Sequence, residues 1–269
     1  MQTRMLGTIE VPVIGLGTFA TFDVITDDEI KVRRAILDSC VEHGVKFIDT
    51  SPMYKQSEEV IGIAMEGKRS DFILATKVWI EGKDAGIAQM AKSFELLKTD
   101  YIDVMQIHNQ VDWETHITVL EEMKAEGKIG LTGVTHQMPT ALPLMAEMMR
   151  TGRFDTIQIS YNVMEHDVEE TILPLAEEMG IGVIVMRPFG NGALLRELKS
   201  DPDIGPLKEF GIETWAQALI AYVLADERVS VQIPATSKPE RIAENASVGS
   251  VNLPQELRSY IRRETERCL

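Results

Sequence analysis

The chain has 269 residues, of which 44% are hydrophobic and 26% are charged, an ordinary composition for a globular protein. No apolar run approaches the roughly 18 residues that a membrane span requires, and the segment MQTRMLGTIEV lacks the apolar core of a signal peptide. The formal net charge is −15, and so acidic a surface repels phosphate backbones, so we expect neither a membrane nor a nucleic acid as partner.

The chain contains two cysteines, Cys40 and Cys268. Neither belongs to a CxxC pair or to a cluster of metal ligands, so we expect no metal site. Cys40 lies in an apolar helical stretch, where a small thiol is most often a core residue. Two isolated thiols and the lack of an export signal predict a protein of the reducing cytoplasm.

Short runs of β-forming residues alternate with amphipathic stretches along the chain. Each run is continuously apolar, which is typical of parallel strands that are buried on both faces. The predicted strands are Val13–Thr18, Lys46–Ser51, Phe72–Val78, Tyr101–His108, Gly130–His136, Phe154–Ser160, Gly182–Pro188 and Val229–Ala235.

Helices are predicted between these strands and after the last one. Thr26 and Glu29 form a T-x-x-E capping box that starts the first helix, and Gly44 and Gly180 stand where helices should end. Two segments before the first strand are predicted to pair as a hairpin. The predicted helices are Asp28–His43, Ile87–Leu97, Val119–Lys128, Glu169–Met179, Trp215–Asp226 and Pro254–Arg267, and the hairpin strands are Met5–Glu10 and Val11–Ile14.

Eight strand–helix units in 269 residues average about 34 residues each, close to the ~30 of a βαβ unit. Parallel strands joined by helical crossovers make an α/β fold, and eight of them can close on themselves. No linker or low-complexity segment interrupts the pattern. We therefore predict one domain over residues 1–269, a (β/α)8 TIM barrel with an N-terminal β-hairpin over the barrel bottom and a C-terminal extra helix.

The segment from Gly15 to Ala20 fits the G-x-G-x-x-G/A pattern of dinucleotide-binding proteins. That pattern requires a helix to begin at once, so that its N-terminus faces the pyrophosphate. Here Phe22–Ile25 intervenes, and the helix is capped only at Thr26. The glycines are better explained as part of the first strand at its exit from the barrel top.

Active sites of such barrels lie at the carboxyl ends of the strands. Strand 2 ends near Asp49 with Tyr54 just beyond it, strand 3 ends near Lys77, and strand 4 ends at His108. Singly, these residues have ordinary explanations: a loop hydrogen bonder, a rim aromatic, an exposed lysine and a structural histidine. Together, a carboxylate, a phenol, an ammonium and an imidazole on one rim predict a catalytic site.

Long segments, in the same order over nearly the whole chain, are similar to the signature sequences of one family. The matching segments are Gly44–Tyr54 with Ser57 and Glu58, Leu97–Val104 running to His108, Val11-Pro12 with Gly15–Thr18, Gly130–Val134 and Pro234–Asn245. The chain thus resembles the aldo-keto reductases. This resemblance implies NADPH-dependent reduction of aldehydes and ketones to alcohols by hydride transfer, with a small carbonyl compound as substrate.

The resemblance also implies a role for each residue of the rim. Tyr54 is the general acid that protonates the carbonyl oxygen. A free phenol titrates at about 10, too high for reversible proton transfer at neutral pH, so the ammonium of Lys77, held by Asp49, is expected to lower the pKa of Tyr54. His108 donates a hydrogen bond that orients the carbonyl and stabilises negative charge on its oxygen.

A cofactor site is predicted after strand 8, where phosphate sites of these barrels usually lie. Ser237 and Glu240 make a capping box, so a helix N-terminus that binds phosphate is expected there, the alternative being a well-capped surface helix with incidental cations. Ala235-Thr236 stands where many relatives have Lys-Ser, and Lys238 is expected to replace that cation. The resemblance implies that the 2′-phosphate is bound by Thr236, Ser237, Lys238 and Arg241, and the adenine by Glu244 and Asn245.

The nicotinamide half of the cofactor is expected at strands 5 to 7. Gln158 matches the family's carboxamide contact, and Thr135 and His136 replace the Ser-Asn pair of many relatives. Met186 is expected near the ring and Arg187 near the pyrophosphate. The remaining expected cofactor contacts are Thr18, Phe189 and Gly190.

Phe19, Trp79 and Trp113 fall in loops above the strand ends and are expected to line the substrate pocket. The short loop after strand 4 and the mainly helical C-terminal tail indicate an open pocket that tolerates many aldehydes and ketones. We expect a monomer or a weak homo-oligomer.

Two other functions stay open. The first alternative is a catalytically weak, NADP(H)-sensing regulatory subunit on the same fold, like the channel-associated members of the family. The second is an unrelated barrel aldolase that uses Lys77 as a Schiff-base nucleophile. Oxidation of the cofactor by a generic aldehyde distinguishes the first from an enzyme. Borohydride trapping of a substrate on Lys77 without nicotinamide identifies the second.

Overall fold

The computed structural model describes all residues from 1 to 269, and strands occur where the sequence has its short apolar runs. Two strands form an antiparallel hairpin, and eight form one parallel sheet. The strands are β1 Thr3–Leu6, β2 Ile9–Pro12, β3 Leu16–Gly17, β4 Phe47–Asp49, β5 Ile73–Val78, β6 Ile102–His108, β7 Ile129–His136, β8 Thr156–Ser160, β9 Gly182–Met186 and β10 Val231–Gln232.

The parallel sheet closes into a barrel because each strand from β3 to β10 pairs with the next in chain order. The two edge strands meet through bridges between Ile14 and Gln232 and between Gly17 and Ala235. Glycine is required at this seam, since a Cβ on Gly17 would lie 2.7 Å from the backbone oxygen of Ile233. The predicted (β/α)8 barrel is confirmed, and its first glycines serve the close approach of two strands.

Helices surround the barrel. They are α1 Asp27–His43, α2 Ser57–Ala64, α3 Lys83–Leu97, α4 Trp113–Ala125, α5 Leu142–Arg150, α6 Ile172–Met179, α7 Ala193–Arg196, α8 Trp215–Leu224, α9 Glu240–Ser247 and α10 Gln255–Cys268. The capping box of Thr26 and Glu29 begins α1, and Gly44 and Gly180 end α1 and α6 in left-handed backbone conformation. None of the helices is both long and apolar enough to span a bilayer.

Several element ends differ from the sequence prediction. Helix α3 begins at Lys83 rather than Ile87, and α4 begins at Trp113 rather than Val119. Both added turns are packed, because a Cβ on Gly86 of α3 would overlap the imidazole of His116 in α4. Such a tertiary contact has no local sequence signal.

The strands β3, β9 and β10 are shorter than predicted. Strand β9 ends at Met186 because Arg187 has a φ of +60° and Pro188 has no N–H to donate to the sheet. Strands β3 and β10 have two residues each, since most of their predicted length faces the seam, where pairing is limited to isolated bridges.

The N-terminal hairpin closes the barrel at the amino ends of the strands. Strand β1 pairs with β2 around a two-residue turn at Gly7 and Thr8, where Gly7 has a φ of +57°. The predicted pairing of Met5–Glu10 with Val11–Ile14 is wrong in register, because the turn occurs at the glycine. The hairpin covers an interior apolar cluster of Leu6, Val11, Phe47, Ala75, Val104, Leu131, Ile184, Val231 and Ile233.

Gly62 permits the close packing of α2 on α3, because a Cβ at this position would overlap the backbone oxygen of Leu96. We expect Gly62→Ala to destabilise the protein by about 1–3 kcal/mol, since backbone cannot rotate away and the overlap outweighs the ~1 kcal/mol of helix propensity that alanine adds. Urea unfolding measures the change, with Glu59→Ala on the exposed face of α2 as control. A Gly62→Ala variant as stable as the wild type would contradict this packing.

Candidate active site

A layer of inward-facing polar side chains lies at the carboxyl ends of the strands. Alternate residues of a strand face the barrel interior, so Asp49 of β4, Lys77 of β5, Gln106 of β6 and Gln158 of β8 meet near the axis. Each is at most 2% exposed to solvent. Groups as polar as these are stable in the interior only when they are paired with one another.

Asp49 and Lys77 form a buried ion pair between adjacent strands. Nζ of Lys77 lies 2.7 Å from each carboxylate oxygen of Asp49 and 2.7 Å from the backbone oxygen of Thr50. Three donated hydrogen bonds require three N–H groups, so Lys77 is an ammonium. Burial lowers the pKa of Lys77, and the carboxylate of Asp49 opposes that shift.

Two glutamines complete the hydrogen bonding of Asp49. Nε2 of Gln106 donates to Oδ1 over 3.1 Å, and Nε2 of Gln158 donates to Oδ2 over 3.3 Å. The side-chain oxygens of both glutamines are buried and have no hydrogen-bond partner. Gln106 escaped the sequence analysis, although its inward position two residues before His108, within an apolar strand, was an available signal.

Tyr54 lies on a short 3-10 turn, Pro52–Tyr54, directly after β4. Nζ of Lys77 is 5.3 Å from the centroid of its ring. Burial raises the pKa of Tyr54, and the Asp49 carboxylate raises it further. The expected lowering by Lys77 is therefore not found, because Asp49 touches Lys77 and offsets its charge. The phenol is protonated at neutral pH, which is the form that can donate a proton.

His108 ends β6 beside Tyr54, with 5.9 Å between the two ring centroids. Its Nδ1 lies 2.9 Å from Oγ of Ser51, a buried residue that the sequence analysis did not identify. Burial, Lys77 and His136 together lower the pKa of His108 to about 3. The imidazole is thus neutral near pH 7.

A cavity of about 490 Å³ opens onto this layer. Tyr54 and His108 both line it, whereas Lys77 lies behind them. The other residues singled out from the sequence that line it are Thr18, Phe19, Asp49, Gln158, Met186, Arg187 and Phe189. Met53, Asn109, Gln137 and Asn191 also line the cavity and were not identified from sequence. Met53 is part of the 3-10 turn that carries Tyr54, and the other three lie in loops, whose paths no periodic pattern predicts.

The three aromatic residues expected in the substrate pocket differ in position. The ring of Phe19 packs edge-on against Tyr54, with 5.1 Å between centroids. The ring of Trp79 lies 6.3 Å from that of His108 between centroids, but Trp79 is 40% exposed and does not line the cavity. The prediction for Trp113 is wrong: this residue starts α4, and its ring packs against Phe154 in the helical layer, 6.2 Å away.

The residues expected at the nicotinamide carboxamide are divided between two places. Thr135 is buried beside His108 and Gln158, its neighbours in the strand register. His136 lines a separate cavity of about 90 Å³ together with Ser160, and its Nδ1 accepts from the backbone N–H of Met138 over 3.0 Å. Near Phe189, the chain turns at Gly190 with a φ of +54°.

The segment after β10 leads from Ala235, which lines the main cavity, into α9. The predicted Ser237 capping box is wrong, because α9 begins at Glu240 with no side chain capping its first turn. Instead, Oγ1 of Thr236 accepts from the backbone N–H of Lys238 over 3.1 Å. A side-chain-to-backbone turn at Thr236 has replaced the helix cap.

The cations of this segment are on the surface. Ser237 and Lys238 are exposed, whereas Asn245 is buried in α9. The guanidinium of Arg241 pairs with Glu244, one turn later in the helix. Glu244 also accepts from Oγ1 of Thr214 over 2.7 Å. Any anion that binds Arg241 must therefore compete with Glu244.

The chain is similar to known proteins over almost its whole length. A model of the aldo/keto reductase family matches residues 13–264. The chain is 28% identical to the uncharacterized oxidoreductase YqkF of Bacillus subtilis over 91% of this chain and 90% of the relative, and 26% identical to the methylglyoxal reductase YeaE of Escherichia coli over 94% and 92%. A solved aldo/keto reductase from Klebsiella pneumoniae, in complex with NADP and acetate, matches with a TM-score of 0.84 and 28% identity, covering 97% of this chain and 94% of that chain.

The buried ion pair predicts an asymmetric response to mutation. We expect Asp49→Asn to destabilise the protein by about 3–5 kcal/mol, because the ammonium of Lys77 stays buried without an anion. Adding Lys77→Met to this variant should recover part of the loss, since it removes the unpaired charge. Denaturant midpoints of the wild type, both single variants and the double variant measure this coupling.

The surface ion pair of Asp28 with Lys31 provides the matched control. Both side chains are largely exposed, so Asp28→Asn should leave the unfolding midpoint nearly unchanged. Strictly additive losses in the Asp49 and Lys77 variants would show that the two buried groups do not stabilise each other.

Proposed function

The chain belongs to the aldo/keto reductase family, and from this premise we propose that it reduces aldehydes and ketones to alcohols with NADPH as hydride donor. The observation that carries the proposal is the pair of neutral hydrogen-bond donors, the Tyr54 phenol and the His108 imidazole, that line one cavity side by side. A carbonyl oxygen that gains negative charge during reduction requires donors of this kind.

Tyr54 is the proton donor in this proposal. Burial and Asp49 keep the phenol protonated, so a proton is available when the carbonyl oxygen becomes basic. The ammonium of Lys77, 5.3 Å from the ring centroid, offsets part of the unfavourable effect of Asp49 on the phenolate that remains after transfer. Lys77 acts electrostatically on the ring of Tyr54 and does not contact the substrate.

His108 orients the carbonyl oxygen. Its pKa of about 3 describes the loss of a proton from the imidazolium, so the imidazole is neutral near pH 7. A neutral imidazole is a much weaker acid than an imidazolium and competes little with Tyr54 as proton donor. A neutral imidazole still has one N–H, which donates to the oxygen and holds it near the phenol. Phe19, packed against Tyr54, contributes apolar surface for the remainder of the substrate.

The residues of the cavity fit a nicotinamide cofactor, which supplies a hydride when it is bound. The buried side-chain oxygen of Gln158 has no partner in the chain and suits the N–H donors of a carboxamide. Met186 offers an apolar contact for a flat ring, and Nε of Arg187 is a buried donor without a partner, suited to a pyrophosphate oxygen. The Klebsiella pneumoniae relative was solved with NADP.

The other two functions are less well supported. A Schiff-base aldolase requires a lysine that is neutral and reaches the substrate, but all three N–H groups of Lys77 are engaged and the residue does not line the cavity. A cofactor-sensing subunit does not require an acid and a carbonyl-orienting donor. In this chain a phenol and an imidazole lie side by side at the cavity, which favours an enzyme.

Tyr54→Phe tests the proton donor. The substitution keeps the ring and removes the hydroxyl, so we expect NADPH to bind as in the wild type while carbonyl reduction slows by ~10²–10⁴-fold. Lys77→Met should also slow turnover, and the double variant should lose less than the product of the two single losses, because both act on one proton transfer. Single-turnover oxidation of bound NADPH measures the step.

Stability controls are part of this experiment, because Lys77→Met disturbs a buried ion pair. The rate of each variant is therefore measured at a temperature well below its unfolding midpoint, where the variant is folded. Hydride transfer in Tyr54→Phe at the wild-type rate would exclude Tyr54 as the acid, and His108 would be tested next.

Arg241→Ala tests the preference for NADPH. We propose that Arg241 leaves Glu244 and binds the 2′-phosphate, so its loss should raise the KM for NADPH about tenfold or more and leave the KM for NADH nearly unchanged. Arg262→Ala, which removes an exposed guanidinium from α10, is the control for general charge effects. Equal losses with both cofactors would show that Arg241 does not recognise the phosphate.

A further inference from the structure

Ser51 connects the two hydrogen-bond donors of the cavity. It is fully buried and directly precedes the 3-10 turn that carries Tyr54. The backbone N–H of Tyr54 donates to the backbone oxygen of Ser51 over 2.9 Å, and the N–H of Met53 donates to its Oγ over 3.2 Å. On its other side, Oγ lies 2.9 Å from Nδ1 of His108.

The direction of the bond between Ser51 and His108 follows from the groups available. A hydroxyl has one hydrogen to donate, and Ser51 has no acceptor in reach other than Nδ1 of His108. If Nδ1 carried the proton and donated to Oγ, the hydroxyl hydrogen would be buried without a partner, which is costly. The hydroxyl therefore donates to an unprotonated Nδ1, and the proton of the neutral imidazole is on Nε2.

The surroundings of His108 keep the second ring proton away. The charged and titratable groups that act on the ring are the ammonium of Lys77 and the imidazole of His136, and both disfavour an imidazolium. Nε2 makes no hydrogen bond within the chain, and the residue lines the cavity. The N–H on this atom is thus free for a ligand.

We propose that Ser51 is a positioning residue: its hydroxyl holds His108 in the tautomer whose Nε2–H donates to the carbonyl oxygen. Through the same side chain it joins the turn of Tyr54 to the ring of His108, so the two donors keep a fixed relation to one oxygen. The kinetic consequence rests on the proposed reduction, but the tautomer itself does not.

The tautomer is measured directly by ¹⁵N NMR of the histidine-labelled wild-type protein near pH 7. The couplings of each ring nitrogen to the ring hydrogens identify which nitrogen is protonated, and the His108→Asn variant assigns the signals among the five histidines. We expect the Nε2–H form. A predominant Nδ1–H form would overturn the proposal, and this measurement requires neither activity nor a Ser51 variant.

Ser51→Ala removes the donor to Nδ1, so the two tautomers should become mixed. We expect kcat for carbonyl reduction to fall about tenfold, as for one lost hydrogen bond, while the KM for NADPH is unchanged. Ser51→Thr restores a hydroxyl at an extended backbone position and should restore the Nε2–H tautomer.

Thr26→Ala is the matched control, because it removes another hydroxyl that begins a helix, at α1 and away from His108. It should lower stability but leave the ¹⁵N signals of His108 unchanged. Unaltered His108 signals in Ser51→Ala would overturn the proposal. If the wild type reduces no carbonyl compound, the proposed function fails, whereas the tautomer measurement still decides the role of Ser51.

Discussion

The architecture of the site depends on one buried carboxylate. Asp49 accepts two hydrogen bonds from Lys77 and one each from Gln106 and Gln158, so four strands of the barrel are tied together at one level. A charge in the barrel interior is stable only with such partners, and removing one leaves the others unsatisfied. The four side chains of the polar layer therefore depend on one another, and two of them, Asp49 and Gln158, line the cavity.

The same burial keeps both donors of the cavity neutral. It raises the pKa of the Tyr54 phenol and lowers that of the His108 imidazole, so each keeps one transferable or donatable hydrogen near pH 7. Because Asp49 offsets Lys77 at contact distance, the ammonium does not make the phenol acidic in advance. In the proposed reaction Lys77 limits the cost that burial and Asp49 impose on the phenolate as it forms.

Sequence by itself determined the class of fold and most of the residues brought to the rim. Alternating apolar runs and amphipathic stretches predict eight strand–helix units, and eight parallel strands can close into a barrel. The carboxyl ends of those strands then place Asp49, Lys77 and His108 near one another, with Tyr54 just beyond. These inferences succeed because strand periodicity and the barrel rule depend on local pattern and chain order alone.

Tertiary structure decided everything that depends on contacts between distant segments. The role of Gln106 as a partner of Asp49, the bond of Ser51 to His108 and the pairing of Arg241 with Glu244 each require the coordinates. Trp113 was misplaced because a packed helix begins at it, and the Ser237 cap failed because the backbone used the hydroxyl of Thr236 instead. Loop paths, pKa shifts and hydrogen-bond directions follow from burial and three-dimensional neighbours, which a linear pattern does not contain.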